Sequence, residues 1–339
     1  MNAIRKTHSK WRMLLLTSFV VLFVFISGCC KKSKDEKVYR VGILCGLDYI
    51  VDMTDGFKNK MTELGYTEGR NIVYDVRRTN FEPEKEREFL EGFIKDKADL
   101  IFTFPTEVSM AAKEAARGTG IPVVFAFANI EGTGLVDSVR QPGGNITGVR
   151  YPGPDLAIKR FEVMRQFAPD AKRIWIPFQR GYPIVAGQLE VLHPAAAAAG
   201  VRLIEFPADD AAELQAELDA RRKSRDIGMD AILFVAEPLA VTPDAFEVMG
   251  KFAYEYKLPI GGALITVGDY GSVFGINVDI RKTGRQAAVL ADKILKGTPA
   301  GTIPVVSSES FLQVNYKATG ELGMTVPEGV LNRADEIIR

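Results

Sequence analysis

The stretch that most constrains the fold is residues 99–128, which contain a strand, a helix and a second strand in succession. Leu100-Ile101-Phe102 is an uninterrupted apolar run, as in strands that a parallel sheet buries on both faces. An Ala-rich helix at 108–116 separates it from a second apolar run at 123–128. The carboxyl ends of strands in an open α/β sheet face a ligand crevice. We therefore expect residues 103–107 and 127–129 to lie side by side at such a crevice.

The same alternation of strand and helix continues along the chain and predicts parallel sheets covered by helices. The predicted strands are Tyr39–Cys45, Asn71–Arg77, Leu100–Thr103, Val123–Ala126, Ile146–Arg150, Arg173–Phe178, Val201–Phe206, Ala231–Val235, Leu258–Gly262, Val273–Val278 and Phe311–Asn315. The predicted helices are Val51–Leu64, Pro83–Lys95, Val108–Arg117, Asp155–Phe167, Val185–Ala199, Ala211–Arg222, Pro243–Tyr256, Ile280–Leu295, Tyr316–Leu322 and Pro327–Ile338. The Pro- and Gly-rich segment at 151–154 interrupts this rhythm, so we expect two similar doubly wound halves.

Length and charge support two domains and argue against a polyanionic partner. The chain has 339 residues, more than one hydrophobic core usually serves. Residues 1–28 hold four basic and no acidic side chains, which leaves 39 basic against 43 acidic residues in the rest. A mildly acidic body does not attract phosphate backbones, and we expect no nucleic-acid binding.

Residues 1–28 have the parts of a secretory signal peptide: a basic region, an apolar run at 13–26 and small residues before Cys29. The apolar run is shorter than the roughly 20 residues that span a bilayer, although a retained short anchor is the alternative interpretation. Ile26-Ser27-Gly28-Cys29 resembles the lipobox of bacterial lipoproteins, which implies lipidation of Cys29. Residues 29–37 then form a charged tether, and we expect an exported protein that is lipid-anchored to the membrane.

Several kinds of catalytic or cofactor site lack their sequence signatures. No Gly-x-Gly-x-x-Gly follows the first strand, and no Gly-x-x-x-x-Gly-Lys-Ser/Thr is present. After residue 37 the sequence contains one histidine, His193, and one cysteine, Cys45. We therefore expect no disulfide, no zinc site, no other metal and no cofactor. Carboxylates at Asp48, Glu107 and other predicted strand ends favour solvated or ligand-accepting positions over acid–base catalysis.

Segments throughout residues 39–338 carry a resemblance to a known family. They are LGYTEGRNI at 64–72, ADLIF at 98–102, IPVVF at 121–125, PGGNITGV at 142–149, PDAKRI at 169–174, TGRQAA at 283–288 and LGMTVP at 322–327. The chain is similar to the ABC-transporter substrate-binding lipoproteins, a family that includes tryptophan- and tyrosine-binding members. The resemblance implies a type I periplasmic-binding fold, with two Rossmann-like lobes joined by a three-crossover hinge. One lobe would comprise residues 38–150 and about 279–307, and the other 151–278 and about 308–339.

The resemblance also implies a ligand site between the lobes. Thr106 matches a threonine of the family's turn, where helix amides receive an anionic group. The sequence departs from the family in four loops, at Glu107-Val108, 128–131, 178–181 and Glu237-Pro238, so we expect the ligand to differ from the family's aromatic amino acids. Arg180 would pair with a carboxylate or sulfonate, and Glu237 or Asp279 with an amine. Aromatic side chains would contact an apolar body: Phe104, Tyr151, Phe178 and Tyr182. The full set of expected ligand contacts is Asp48, Tyr49, Thr103, Pro105, Thr106, Glu107, Asn129, Tyr151, Phe178, Arg180, Glu237 and Asp279.

These features favour a lipid-anchored, monomeric solute-binding component of an ABC importer that is not an enzyme. It would capture an amino acid or related small carboxylate between two lobes and deliver it to a membrane permease. Two alternatives remain open at this stage. One is a ligand-sensing receptor for a signalling partner, and the other is an enzyme that uses interlobe carboxylates.

Overall fold

The computed structural model describes residues 37–46 and 52–339. The chain divides into two units, Met1–Val38 and Tyr39–Arg339, and the helices and strands of the described residues belong to the second unit. The expected signal peptide, Cys29 as the expected lipidation site with most of the expected tether, and the expected ligand contacts Asp48 and Tyr49 lie outside the described residues.

The first sheet has six parallel strands in the order β13-β5-β4-β3-β1-β2. They are β1 (Tyr39–Cys45), β2 (Ile72–Arg78), β3 (Leu100–Phe104), β4 (Val123–Ala128), β5 (Ile146–Arg150) and β13 (Val306–Ser307). The helices that cover it are α1 (Asp52–Glu63), α2 (Pro83–Lys95), α3 (Thr106–Ala115) and α8 (Ile280–Leu295). Separate apolar clusters fill its two faces, so the unbroken apolar runs are buried on both sides as expected.

The second sheet has seven strands in the order β15-β14-β12-β9-β8-β6-β7. They are β6 (Arg173–Gln179), β7 (Arg202–Ala208), β8 (Ala231–Leu233), β9 (Ile260–Gly262), β12 (Phe274–Val278), β14 (Ser310–Asn315) and β15 (Glu336–Ile338). Its helices are α4 (Gly153–Phe167), α5 (Val185–Ala198), α6 (Ala211–Arg222), α7 (Pro243–Tyr256), α9 (Tyr316–Glu321) and α10 (Glu328–Leu331). A two-stranded hairpin, β10 (Thr266–Val267) and β11 (Tyr270–Gly271), completes the described strands. All pairs of the second sheet are parallel except β12 with β14.

Three connections carry the chain between the two sheets: β5 to α4, β12 to α8, and β13 to β14. They run side by side, because the Ser308 amide donates to the Arg150 carbonyl over 3.0 Å and the Asp279 amide donates to the Glu309 carbonyl over 3.3 Å. The Thr283 hydroxyl also donates to Ser308 Oγ over 3.1 Å. The molecule is thus an α/β protein of two lobes joined by three adjacent crossovers.

Several predicted element boundaries are confirmed, and capping residues explain why. Proline at the first helical position begins α2 and α7 where expected. The side chains of Asp210 and Asp279 accept the amides of Glu213 and Lys282 and so fix the starts of α6 and α8. Most other predicted elements are observed within two residues of their expected ends.

The prediction of a helix over Pro327–Ile338 is wrong. Only the four residues of α10 are helical there, and Glu336–Ile338 forms strand β15 instead. The Asp335 carboxylate accepts the Leu312 amide over 2.7 Å while the Asp335 amide donates to the Leu312 carbonyl, which holds the tail against β14. Among the described residues, no helix combines the length and the apolar character needed to cross a membrane.

Candidate functional site

The loops after β3 and β4 meet at the carboxyl end of the first sheet, as the sequence predicts. The Asn129 amide donates to the Thr106 hydroxyl over 3.0 Å, which ties the start of α3 to the loop after β4. Glu107 is exposed in the first turn of α3. This pair of loops therefore presents Thr106, Glu107 and Asn129 at one edge of the sheet.

Thr103 and Pro105 lie beneath these loops and are buried. The Thr103 hydroxyl donates to Ser109 Oγ over 3.1 Å, and the Ser109 hydroxyl donates to the Pro105 carbonyl over 2.6 Å. All of these partners belong to the β3–α3 segment itself. In this conformation Thr103 and Pro105 hold the turn that carries Thr106.

Phe127 belongs to the 127–129 segment expected at the crevice, although it was not among the expected ligand contacts. The register between β4 and β5 shifts at this residue, and its backbone has φ +52°, which is uncommon for any residue other than glycine. Its ring contacts that of Tyr151 edge to face, with centroids 5.0 Å apart, and packs against the cores of both sheets. Strained conformations of this kind concentrate at binding sites. Because the bulge depends on strand register, no local sequence signal identifies it.

Tyr151 begins the first crossover and is almost fully buried. Its amide donates to the Ala128 carbonyl over 2.8 Å, and a Cβ added at Gly153 would lie 3.4 Å from Asn129 Oδ1. Phe127, Asn129 and Tyr151 thus come together where the first sheet ends and α4 begins. In this region residues from both lobes converge.

Arg160, two turns into α4, lies behind Tyr151 and was not predicted as a site residue. Its side chain is 2% exposed and donates to the Ile276 carbonyl over 3.0 and 2.8 Å. It also donates to Asn277 Oδ1 over 3.2 Å and hydrogen-bonds to the Tyr151 side chain. Burial lowers the pKa of this guanidinium from its ordinary value, the direction expected for a desolvated cation.

Both carboxylate oxygens of Glu237 accept hydrogen bonds from backbone amides. Its buried carboxylate accepts the amides of Gln179, Leu239 and Ala240 over 2.9, 2.8 and 2.7 Å. Burial raises the pKa of this carboxyl, and the three hydrogen bonds oppose that rise. The residue therefore ties the end of β6 to the short 3₁₀ turn at Leu239–Val241.

Arg180 lies in a solvent-exposed ion cluster. It donates to both oxygens of Asp209 over 3.1 Å and to Glu213 over 2.8 Å, and these bonds raise its pKa. Asp279 caps α8 by accepting the Lys282 amide over 2.9 Å, and Phe178 is partly buried against the core of the second sheet. In the described conformation Arg180 is neutralised within its own lobe, while Asp279 stands on the second crossover.

Glu86 is a buried carboxylate near the first-lobe loops that sequence reasoning missed. It lies in the first turn of α2 and accepts the Thr79 hydroxyl over 3.3 Å. Burial, with a smaller contribution from Glu107, raises the pKa of its carboxyl. This edge of the first lobe is therefore acidic, whereas Arg160 contributes positive charge from the second. Among residues 37–46 and 52–339, no cluster of histidine, cysteine, aspartate and glutamate is arranged to hold a metal ion.

Comparisons with known proteins agree on the type of protein. The family model described as ABC transporter substrate binding protein matches residues 44–338. A tyrosine-binding protein of Clostridioides difficile is 25% identical over 299 residues, which cover 87% of this chain and 84% of that protein. A solved conserved domain protein from Vibrio cholerae superposes with a TM-score of 0.71 at 25% identity, covering 89% of this chain and all of that one.

The fold is also that of a solved ABC domain from Streptococcus pneumoniae in complex with L-Trp. The TM-score is 0.72 at 22% identity, with 89% of this chain and 100% of that chain covered. Two lobes with adjacent crossovers and convergent loops are thus the architecture of a type I periplasmic binding protein. The chain belongs to the ABC transporter substrate-binding protein family.

Proposed function

We propose that this protein captures an amino acid or a related small carboxylate between its two lobes and delivers it to an ABC permease without changing it chemically. The observation that carries the proposal is the convergence of Phe127, Asn129 and Tyr151 at the first crossover. An aromatic surface flanked by oriented polar groups suits a small ligand with an apolar body and polar ends. The proposed lobes comprise residues 38–150 with 279–307, and 151–278 with 308–339.

The contacts we propose come from both lobes. Thr106, Glu107 and Asn129 would contribute from the first lobe, and Tyr151, Phe178 and Asp279 from the crossovers and the second lobe. A ligand that touches both lobes favours the closed arrangement, because it binds that arrangement more tightly than the open one. One relative is named a tyrosine-binding protein, and one of the similar solved structures is a complex with L-Trp. Both support an amino acid as the class of ligand.

A lipid on Cys29 would hold the exported protein at the membrane, with residues 30–37 as a tether to the folded part. The proposal rests on the sequence Ile26-Ser27-Gly28-Cys29 and on the family, whose members act outside the cytoplasm. Cys29→Ala is expected to release the protein from membranes after cell fractionation, whereas Cys30→Ala leaves it in the membrane fraction. Retention of the Cys29→Ala variant would contradict the anchor.

Thermal denaturation against a panel of the twenty amino acids and small carboxylates tests the binding role. Refolding from denaturant first removes any molecule that co-purifies with the protein. We expect saturable stabilisation by at least one compound, which mass spectrometry then recovers unchanged. Conversion of that compound to a product would contradict the proposal, and so would a panel in which no compound shifts the transition.

A further inference from the structure

Arg160 is a buried cation that no carboxylate accompanies in the part of the chain that the structure describes. Its acceptors are the carbonyls of Ile276 and Phe234, the amide oxygen of Asn277 and the hydroxyl of Tyr151. All four are neutral groups. A guanidinium stays charged in proteins, and burying one without a counter-charge costs several kcal/mol in general. The buried guanidinium of Arg160 therefore indicates a role other than packing.

The guanidinium fixes the orientation of two polar side chains because it can only donate hydrogen bonds. The Asn277 amide must turn its oxygen toward Arg160 Nη2, 3.2 Å away, so its NH₂ group points elsewhere. The Tyr151 hydroxyl must accept from Arg160, which leaves its own proton to be donated elsewhere. Arg160 thus leaves the Asn277 NH₂ group and the Tyr151 hydroxyl proton free to donate hydrogen bonds on the side away from the guanidinium.

Both oriented donors lie next to the crossovers between the lobes. Tyr151 begins the first crossover and contacts Phe127 of the first lobe. Asn277 lies two residues before Asp279, at the second crossover, and is partly exposed while its neighbours Ile276 and Val278 are buried. The proposed cleft lies between the two lobes that these crossovers join.

We infer that Tyr151 Oη and Asn277 Nδ2 bind the carboxylate of the captured molecule and that Arg160 is the positioning residue that orients and polarises them. The inference rests on the proposed function and specifies the group by which the ligand is recognised. Donors linked to a cation form stronger hydrogen bonds with an anionic oxygen than with a neutral one. The site therefore discriminates between a carboxylate and the corresponding carboxamide.

The test compares L-amino acids with their carboxamides on the refolded full chain. Isothermal titration calorimetry is run with the twenty L-amino acids and then with the carboxamide of each one that binds. We expect the amide to bind roughly 10- to 100-fold more weakly, the loss that accompanies a missing charge-assisted hydrogen bond. Tyr151→Phe and Asn277→Leu are expected to weaken the acid and to leave the amide nearly unchanged.

Variants at Arg160 separate positioning from a merely structural role. Arg160→Met is expected to abolish the preference for the acid, while Arg160→Lys retains part of it because the charge remains. Arg165→Gln is the matched control, since Arg165 lies in the same helix and donates to the Ala199 carbonyl away from the crossovers. The control is expected to keep both the affinity and the preference. If Arg160→Met does not fold, the Tyr151→Phe and Asn277→Leu results decide.

The outcomes distinguish the two proposals. Equal affinity of the wild-type protein for acid and amide overturns the inference about Arg160 and leaves the binding role standing. A preference for the acid that survives in Tyr151→Phe and Asn277→Leu also overturns it. Absence of binding by all twenty amino acids overturns the amino-acid part of the proposed function, and the inference falls with it.

Discussion

Replacing Glu237 by alanine is expected to lower the free energy of unfolding by about 2 to 4 kcal/mol. The carboxylate accepts three amides, from Gln179, Leu239 and Ala240, and is 7% exposed. Each buried amide left without an acceptor costs roughly 1 to 3 kcal/mol. Alanine also removes a buried charge and lets water reach the three amides. Both effects offset part of the cost of the unpaired amides, so the expected loss of unfolding free energy is smaller than the sum over three amides.

Glu237→Gln keeps the volume and isolates the effect of one oxygen. In the wild type one oxygen accepts Gln179 and Leu239 and the other accepts Ala240. The amide oxygen of a glutamine can still accept the amides of Gln179 and Leu239. Its NH₂ group then faces the Ala240 amide, so two hydrogen-bond donors meet. We expect a loss of about 1 to 2 kcal/mol at pH 7, measured by urea unfolding followed by circular dichroism.

The pH dependence of this loss has a definite sign. The pKa of the Glu237 carboxyl is raised in the folded protein, so the folded state binds the proton more tightly than the unfolded state. The stability advantage of wild type over Glu237→Gln is therefore greatest below pH 4.5, the pKa of the carboxyl in the unfolded state, and declines as pH rises through its pKa in the folded state.

Glu247→Gln, at an exposed position of α7, is the control and is expected to change stability by less than about 0.5 kcal/mol. A Glu237→Ala variant as stable as wild type would refute the capping role.

Three further substitutions test the packing and the electrostatics of the first lobe. Gly148→Ala is expected to cost about 3 kcal/mol in urea unfolding because its Cβ would overlap the Phe125 carbonyl, whereas Gly92→Ala, with no neighbour within 4 Å in α2, should gain about 0.5 to 1 kcal/mol. Glu63 accepts both Nη atoms of Arg285 over 2.9 Å, and its pKa is lowered to about 2. Its contribution is present above pH 4.5 and lost as pH falls toward 2, so Glu63→Gln should flatten the acid side of a plot of Tm against pH. An unchanged acid limb would contradict this pairing.

The sequence predicted correctly those helices whose start and stop signals lie within a few residues of their ends. Helices α2 and α8 begin and end as expected because proline, an aspartate cap and glycine act within a few residues of the termini. Strand β15 was missed because it joins the sheet through residues of β14 that lie 23 residues earlier in the chain, beginning with the Leu312–Asp335 contact. The hairpin β10–β11 has two residues in each strand, too few for any periodicity.

The meeting of the loops after β3 and β4 was predictable from the sequence, but the contacts of individual side chains were predictable only in part. Adjacent strand ends placed Thr106 near Asn129, and the structure joins them by a hydrogen bond. Arg160 and Arg165 lie five residues apart in one helix, and nothing in the sequence tells which guanidinium faces the crossovers. Strand ends likewise predicted Glu237 without revealing that three amides already satisfy it, because those amides belong to other turns of the chain.

Closure of the two lobes on a bound molecule is the central claim, and a distance between spin labels on the lobes tests it most directly. Lys95→Cys in α2 and Lys251→Cys in α7 place labels on helix positions that face outward, and the buried Cys45 is protected from labelling. Cys29 and Cys30 are replaced by serine so that only two sites react. Pulsed electron resonance is then recorded with and without a saturating amino acid identified by calorimetry. We expect a shifted and narrower distance distribution when the amino acid is bound, and an unchanged distribution at full saturation would contradict capture between the lobes.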